Sequence, residues 1–186
     1  MKRLSLLFAF ILTSLFSFAQ KGVEFVDGWI ELKKGDTLKG QVCYINTVTK
    51  ERYEKIYFLD ATGAKKRYGF DRITSFGVEG KVYEYLIVDG FGTTPIMMQR
   101  VIAGDLYMFK AWFKAPDFTP QKPSYEEAVF LRKKDSTEYF EVYPKNFYKQ
   151  MKSYFRGDED IVELVKENNY ELKDLEKIVV AYNEKE

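Results

Sequence analysis

Apolar and polar positions alternate along residues 23–143, and the alternation gives way to a helical spacing after Pro144. A period of two puts successive side chains on opposite faces of a strand, so the first stretch predicts strands. Gly28-Trp29-Ile30-Glu31-Leu32 runs into the turn Lys33-Lys34-Gly35-Asp36 and returns over 37–45. Leu38, Val42 and Tyr44 share one face of the return strand, and Gly40 between them marks a bulge or sharp bend. Strands over 55–59 and 64–68 flank the turn Asp60-Ala61-Thr62-Gly63, and Gly69-Phe70-Asp71-Arg72 turns the chain into 73–78. Glu79-Gly80 then leads into 81–88, where Tyr83, Tyr85 and Ile87 alternate with Val82, Glu84, Leu86 and Val88. Both faces of that strand are largely apolar, which places it centrally, packed on two sides. A turn is expected at Gly90-Phe91-Gly92. Strands over 95–102 and 106–113 meet at Ala103-Gly104-Asp105, a Pro-containing loop over 116–123 interrupts the sheet, and strands over 127–132 and 138–142 close it.

Beyond Pro144 the apolar residues Phe147, Met151, Tyr154 and Phe155 stand at i, i+4, i+7 and i+8, one face of a helix. Pro144 suits its first turn and Gly157 its end. Asp158 is placed to cap a second helix carrying Ile161, Leu164 and Val165. A third holds Leu172, Leu175, Ile178, Val179 and Tyr182. Strands followed by helices make an α+β chain that is mostly β: an antiparallel, meander or barrel-like sheet with about three helices covering an open side. The expected organisation is a β body over 20–143, with room for a small barrel over 20–80 and further strands over 81–143, then a helical segment over 144–186 packed on the sheet.

The chain opens Met1-Lys2-Arg3, continues with an apolar run from Leu4 to Phe18 and ends it at Ala19-Gln20-Lys21. A basic start, a short apolar stretch and small residues at −3 and −1 (Ser17 and Ala19) read as a signal peptide cleaved after Ala19. A spanning helix needs about 20 apolar residues, more than this run supplies. No Cys follows the run, which argues against a lipid anchor; the single cysteine is Cys43. The expectation is an exported protein, periplasmic or secreted, with no transmembrane segment in the mature chain.

Charge narrows the partners. Lys plus Arg number 29 and Asp plus Glu 28, so loss of Lys2 and Arg3 leaves 27 against 28. A near-neutral surface of mixed sign argues against nucleic acid, which needs a basic stripe to neutralise phosphates. The basic runs Lys65-Lys66-Arg67 and Arg132-Lys133-Lys134 fall where hairpin turns are expected and read as solvated turn charge. One cysteine cannot make an internal disulfide, so stability rests on the apolar core. Fourteen Tyr and sixteen Phe favour strands, where rings pack on a pleated surface.

The chain has no histidine, and this removes Ser-His-Asp and Cys-His catalysis and His-ligated zinc together. Neither G-x-G-x-x-G nor G-x-x-x-x-G-K-[ST] occurs, so no dinucleotide or P-loop cofactor is supported. Carboxylates are the catalytic type left in number, and a glycosidase needs two of them about 5 to 9 Å apart. Asp89, Asp105, Glu126 and Glu138 are scattered along the sequence and form no pair. Asp158-Glu159-Asp160 with Glu163 lacks the alternating acid-and-Gly loop of an EF-hand and reads as dipole-complementing acids at a helix start. No catalytic, cofactor-binding or metal residue is therefore assigned. The leading expectation is a non-enzymatic binding or envelope-associated protein with a protein or glycan partner. The alternatives are a carboxylate-dependent glycan-active enzyme and a structural or assembly factor of the envelope.

Two resemblances stand on quoted residues. Phe18-Ala19-Gln20, then Gly28-Trp29-Ile30-Glu31-Leu32 and Gly35-Asp36-Thr37-Leu38-Lys39-Gly40, resemble a set of exported Bacteroidota proteins of unknown function. Their shared pattern is G-[YW]-I…G-D-T-[IL]-x-G, then Y-x-P-x-x-I and G-x-x-Y. Tyr68-Gly69-Phe70-Asp71-Arg72-Ile73 and Gly80-Lys81-Val82-Tyr83 occupy the later places, with Phe70 where Pro is usual, and Ile178-Val179-Val180-Ala181-Tyr182-Asn183 resembles their common ending. That resemblance implies export and offers no activity to carry over. The stretch G-D-T-L-x-G-x-V is similar to the first hairpin of SH3-like or Sm-like small barrels. It implies a barrel of five short strands over 23–78 with Gly69–Arg72 as the turn before the last; the basic loops of Sm-type RNA binding are not present.

Overall fold

Short β-prone runs separated by Gly- and Asp-containing turns fold as hairpins, and the computed structural model describes these over residues 25–43, 55–86, 96–114 and 125–185. The expected export signal with its expected cleavage site, Asp89, the expected turn at Gly90-Phe91-Gly92 and the expected loop over 116–123 lie outside the described residues. The strands are β1 Val26–Leu32, β2 Thr37–Cys43, β3 Lys55–Leu59, β4 Lys65–Gly69 and β5 Ile73–Val78, then β6 Lys81–Leu86, β7 Ile96–Ile102, β8 Leu106–Lys114, β9 Tyr125–Lys133 and β10 Phe140–Val142. Among the described residues these ten form one sheet in the order β10-β9-β8-β7-β6-β5-β1-β2-β3-β4. Every ladder is antiparallel. The chain is α+β and mostly β, with its helices at the C-terminal end.

One neighbour in that order is not sequential: β5 pairs with β1. Yet β4 and β5 are joined only by Phe70, Asp71 and Arg72 while β1, β2 and β3 stand between them. A link that short forces the five strands to curl until the end of β4 meets the start of β5. The Arg72 N–H donates to the Gly69 carbonyl at 3.0 Å, and the Lys33 N–H donates to the Arg72 carbonyl at 3.0 Å, which ties this corner to the β1–β2 turn. Inside the curl lie Ile30, Val42, Ile56, Phe58, Phe76 and Val78, joined by Tyr83 from β6. Phe76 and Tyr83 stack with centroids 4.9 Å apart.

Tight curling requires missing side chains. A Cβ on Gly40 would overlap the Leu59 carbonyl oxygen and the Phe58 ring, and one on Gly77 would overlap the Trp29 indole. Gly40 is therefore a close-approach glycine and marks no bulge, because the β1–β2 register runs unbroken through Gly28↔Gly40. The register shifts fall elsewhere, at Glu31/Leu32 against β5 and between Arg100 and Ile102 against β8.

In the second half the same sheet face is covered by helices: α1 Phe147–Tyr154, α2 Glu159–Glu167, a 3-10 turn Leu172–Asp174 and α3 Leu175–Asn183. Leu106, Met108, Val129, Leu131 and Val142 meet Met151, Phe155, Ile161, Val165, Ile178 and Val179 in one cluster. Pro144 lies ahead of α1, whose N-cap is Asn146 with φ 58, so it does not occupy the first helical turn as expected. Gly157, at φ 96, ends the α1 region as its conformational freedom allows. Asp158 stands at the N-cap of α2 but its side chain makes no capping bond; it turns to Lys133 at 3.7 Å, and Glu159 and Asp160 occupy the first turn.

The last helix is stitched to the sheet by side-chain amide chemistry. Leu106 N–H donates to Asn183 Oδ1 at 2.7 Å and Asn183 Nδ2 donates to the Leu106 carbonyl at 2.9 Å, so one side chain imitates a strand partner. A Cβ on Gly104 would overlap that amide. Lys110 adds an ionic tie, 3.3 Å from Glu176 on α3 and 3.5 Å from Glu127 on β9. At the far edge the basic run Lys65-Lys66-Arg67 lies within β4 and not in a turn, its side chains exposed. Charge along an edge strand discourages pairing with another sheet.

Candidate functional site

The helices and the curled core use one face of the sheet, and the opposite face carries the polar chemistry. On β6, Tyr83 points to the curled core, so Glu84 must point the other way. Met98 on β7 lies opposite Glu84, Arg100 lies opposite Phe109 on β8, and Arg132 on β9 lies opposite Tyr107. Pleat parity thus sets Glu84, Arg100, Tyr107 and Arg132 on one face. Tyr139, just ahead of β10, reaches into the same group. Met98, Phe109, Ala111 and Phe130 form the apolar bed around them.

Glu84 is the centre. Its side chain is 8% exposed, against 26% for Arg100 and 20% for Arg132. Arg100 donates to Oε1 through Nε at 3.0 Å and also through Nη2. Oε2 accepts from the Tyr139 hydroxyl at 2.9 Å and lies 3.3 Å from Arg132 Nη1, which also donates to the Tyr139 oxygen at 2.9 Å. The Arg132 guanidinium is 5.0 Å from both the Tyr107 and the Tyr139 ring centroids, and Arg100 sits 5.0 Å from Tyr107. Rings at these distances attract the cations through their quadrupoles and fix the planes of both guanidinium groups. Burial, followed by the negative charge of Glu84, pushes the Tyr139 phenol well above its ordinary range. Arg132 Nε is buried, and among the described residues no hydrogen-bond acceptor faces it.

A second polar pair lies on this face, where buried Ser75 donates to the half-buried Glu31 carboxylate at 2.6 Å. Ser75 and Glu84 are the buried polar residues among those described.

The acids singled out by sequence do not converge. Asp105 is in an exposed turn 3.3 Å from Lys134, and Glu126 and Glu138 are exposed. None joins Glu84. Asp160 pairs with Lys185 at 3.3 Å, and among the described residues no three His, Cys, Asp or Glu side chains gather as metal ligands. Arg132 overturns one expectation: it is no solvated turn charge but a four-fifths-buried partner of Glu84. The signal was an acid in a strand apolar on both faces, since a charge buried there demands a partner. What sequence could not supply was the partner's position on strands far along the chain.

Two concavities lie elsewhere. A groove of about 800 Å³ between α1 and α2 is lined by Tyr148, Lys152, Phe155, Arg156, Glu159 and Val162 among others. One of about 480 Å³ is lined by Asp105, Lys133, Lys134, Asp135, Ser136 and Tyr182. Each interleaves acids with basic side chains. Among the described residues no helix is long and apolar enough to cross a membrane. No protein-family model matches the chain, and no curated protein or solved structure shows significant similarity to it.

Proposed function

We propose that the protein is a non-enzymatic binding module, exported by the segment ahead of Gln20 and acting in the periplasm or outside the cell. One observation carries the reading. The buried carboxylate has both oxygens engaged by two arginines and a tyrosine, the arrangement of a counter-charge that holds side chains in place. Aromatic rings hold the guanidinium planes before any ligand arrives, the kind of preorganisation that lowers the cost of binding. A neighbouring protein or glycan of the envelope is the partner class.

Presenting the chain from Gln20 onward to a glycan array and to envelope extract tests this. Specific capture with no change in the captured molecule is expected. Cleavage of a glycan that disappears on replacing a single Asp or Glu by its amide would instead establish the carboxylate-dependent enzyme. Mass measurement of the exported product, expected to begin at Gln20, checks the compartment separately.

A further inference from the structure

We propose that the groove between α1 and α2 seats the same groove of a second copy, pairing the chains about a two-fold axis. The groove, of about 800 Å³, is lined only by residues from Tyr148 to Glu167, so its charges come from two helices and their turn. The acids and bases there divide by wall. Lys149, Lys152 and Arg156 stand on α1 and the turn after it, with no acid among them. Glu159, Glu163 and Glu167 stand on α2, with Lys166 among them. All seven are exposed, and among the described residues none forms an ion pair.

Helix stability alone does not account for the two rows. Glu159, Glu163 and Glu167 follow at four-residue spacing, as do Lys152 and Arg156, and like charges so spaced repel along a helix face. Lys149 lies in the first turn of α1 and Glu167 in the last of α2, each at the helix end whose dipole disfavours it. Each row gains from an opposite row brought from outside, and symmetry supplies one. Both helices line the groove from a shared turn, so Lys149 lies toward Glu167 and Arg156 toward Glu159. A two-fold axis along the groove lays α1 of each copy over α2 of the other. It sets Lys149 against Glu167, Lys152 against Glu163 and Arg156 against Glu159 of the second copy. An axis across the groove opposes like rows, so charge selects one arrangement of the two. Tyr148, 39% exposed, meets its own copy across the axis. With Phe155 and Val162 at the floor it gives the contact an apolar centre inside a charged rim.

Sedimentation of the chain from Gln20 onward, over a range of concentrations, reads the association, and circular dichroism checks that each variant is folded. The unsubstituted chain is expected to dimerise and to lose the dimer as salt rises to about 1 M, where screening acts within about 3 Å. Lys152→Glu and Glu163→Lys each set like charges together on both sides of the axis and should weaken association at least about tenfold. Mixing the two variants restores both pairs, so a one-to-one heterodimer is expected. If either variant fails to fold, Lys149→Glu and Glu167→Lys, at the outer end of the groove, take their place. A chain that stays monomeric at every concentration, a dimer that both reversals leave intact, or a mixture that stays monomeric overturns the proposal. So does a monomer that binds a different envelope protein and loses it on the same reversals. Self-association is separate from capture of an envelope partner, and either reading can fail without the other.

Discussion

The two halves of the sheet bury the same face by different means. Strands β1 to β5 curl onto themselves and fill the interior with their own Phe58, Phe76 and Ile56. Strands β7 to β10 stay open and borrow Phe155, Ile161 and Val179 from three helices. Self-closure needs close backbone approach, so it consumes glycines at 40 and 77. An added cover needs registration, supplied by the Asn183 amide on Leu106 and by Lys110 on Glu176. The opposite face packs its own smaller apolar bed of Met98, Phe109, Ala111 and Phe130, and the buried charged cluster sits in it.

The contrast can be broken most forcefully from within each core. Phe76→Ala and Phe155→Ala each remove a fully buried ring and should cost about 3 to 5 kcal/mol. Trp29 reports the curled half and Trp112 the helix-covered half, so urea unfolding read through each tryptophan alone tests their coupling. Coincident midpoints are expected because one sheet runs through both; separate midpoints would make the halves independent. Next comes the polar face: Glu84→Gln leaves two partly buried arginines without a counter-charge and should cost about 3 kcal/mol. A change below 1 kcal/mol in the same titration would show that the cluster does not hold the strands together.

Gly77→Ala sharpens the curling argument, since its Cβ would overlap the Trp29 ring; a loss of about 1 to 3 kcal/mol is expected. Combining it with Trp29→Leu should recover part of that loss, and no recovery would point away from the ring. Asn183→Ala strips the stitch on Leu106 and should cost about 1 to 2 kcal/mol, with hydrogen exchange at the Leu106 amide rising before global unfolding. Smallest is the effect of alkali. Burial raises the phenol of Tyr139 and takes that of Tyr154 to about 12. The unfolded chain loses these protons first, near pH 10, so the stability they contribute is intact below pH 10 and declines as pH rises toward 12. Replacing both by Phe should flatten that alkaline decline.

Much of the fold was legible because it rests on local rules. Period-two alternation located the strands, Gly35 and Gly63 at positive φ sit in the turns assigned to them, and the i, i+4, i+8 run from Phe147 became α1. Boundaries that depend on tertiary partners were harder. Pro144 precedes its helix, Asp158 turns from capping to Lys133, and Gly40 answers a neighbouring strand instead of a bulge. The cluster was half legible: Glu84 was visible as an acid in an apolar strand, but Arg132 looked like part of a basic turn. Only the pairing Tyr107↔Arg132, together with the approach of Tyr139, turns that arginine inward.

The β1–β5 ladder has a consequence in time. All other neighbouring strands in the sheet are also neighbours in sequence, so two meanders, β1 to β4 and β5 to β10, can form from nearby residues. The ladder joining Leu32 to Ile73 must close a long loop before any bond in it is gained. The search for that one seam sets the pace at which the chain leaves its vulnerable, half-folded state. Substitutions at Trp29 or Gly77 should therefore slow folding, whereas those beneath the helices should hasten unfolding.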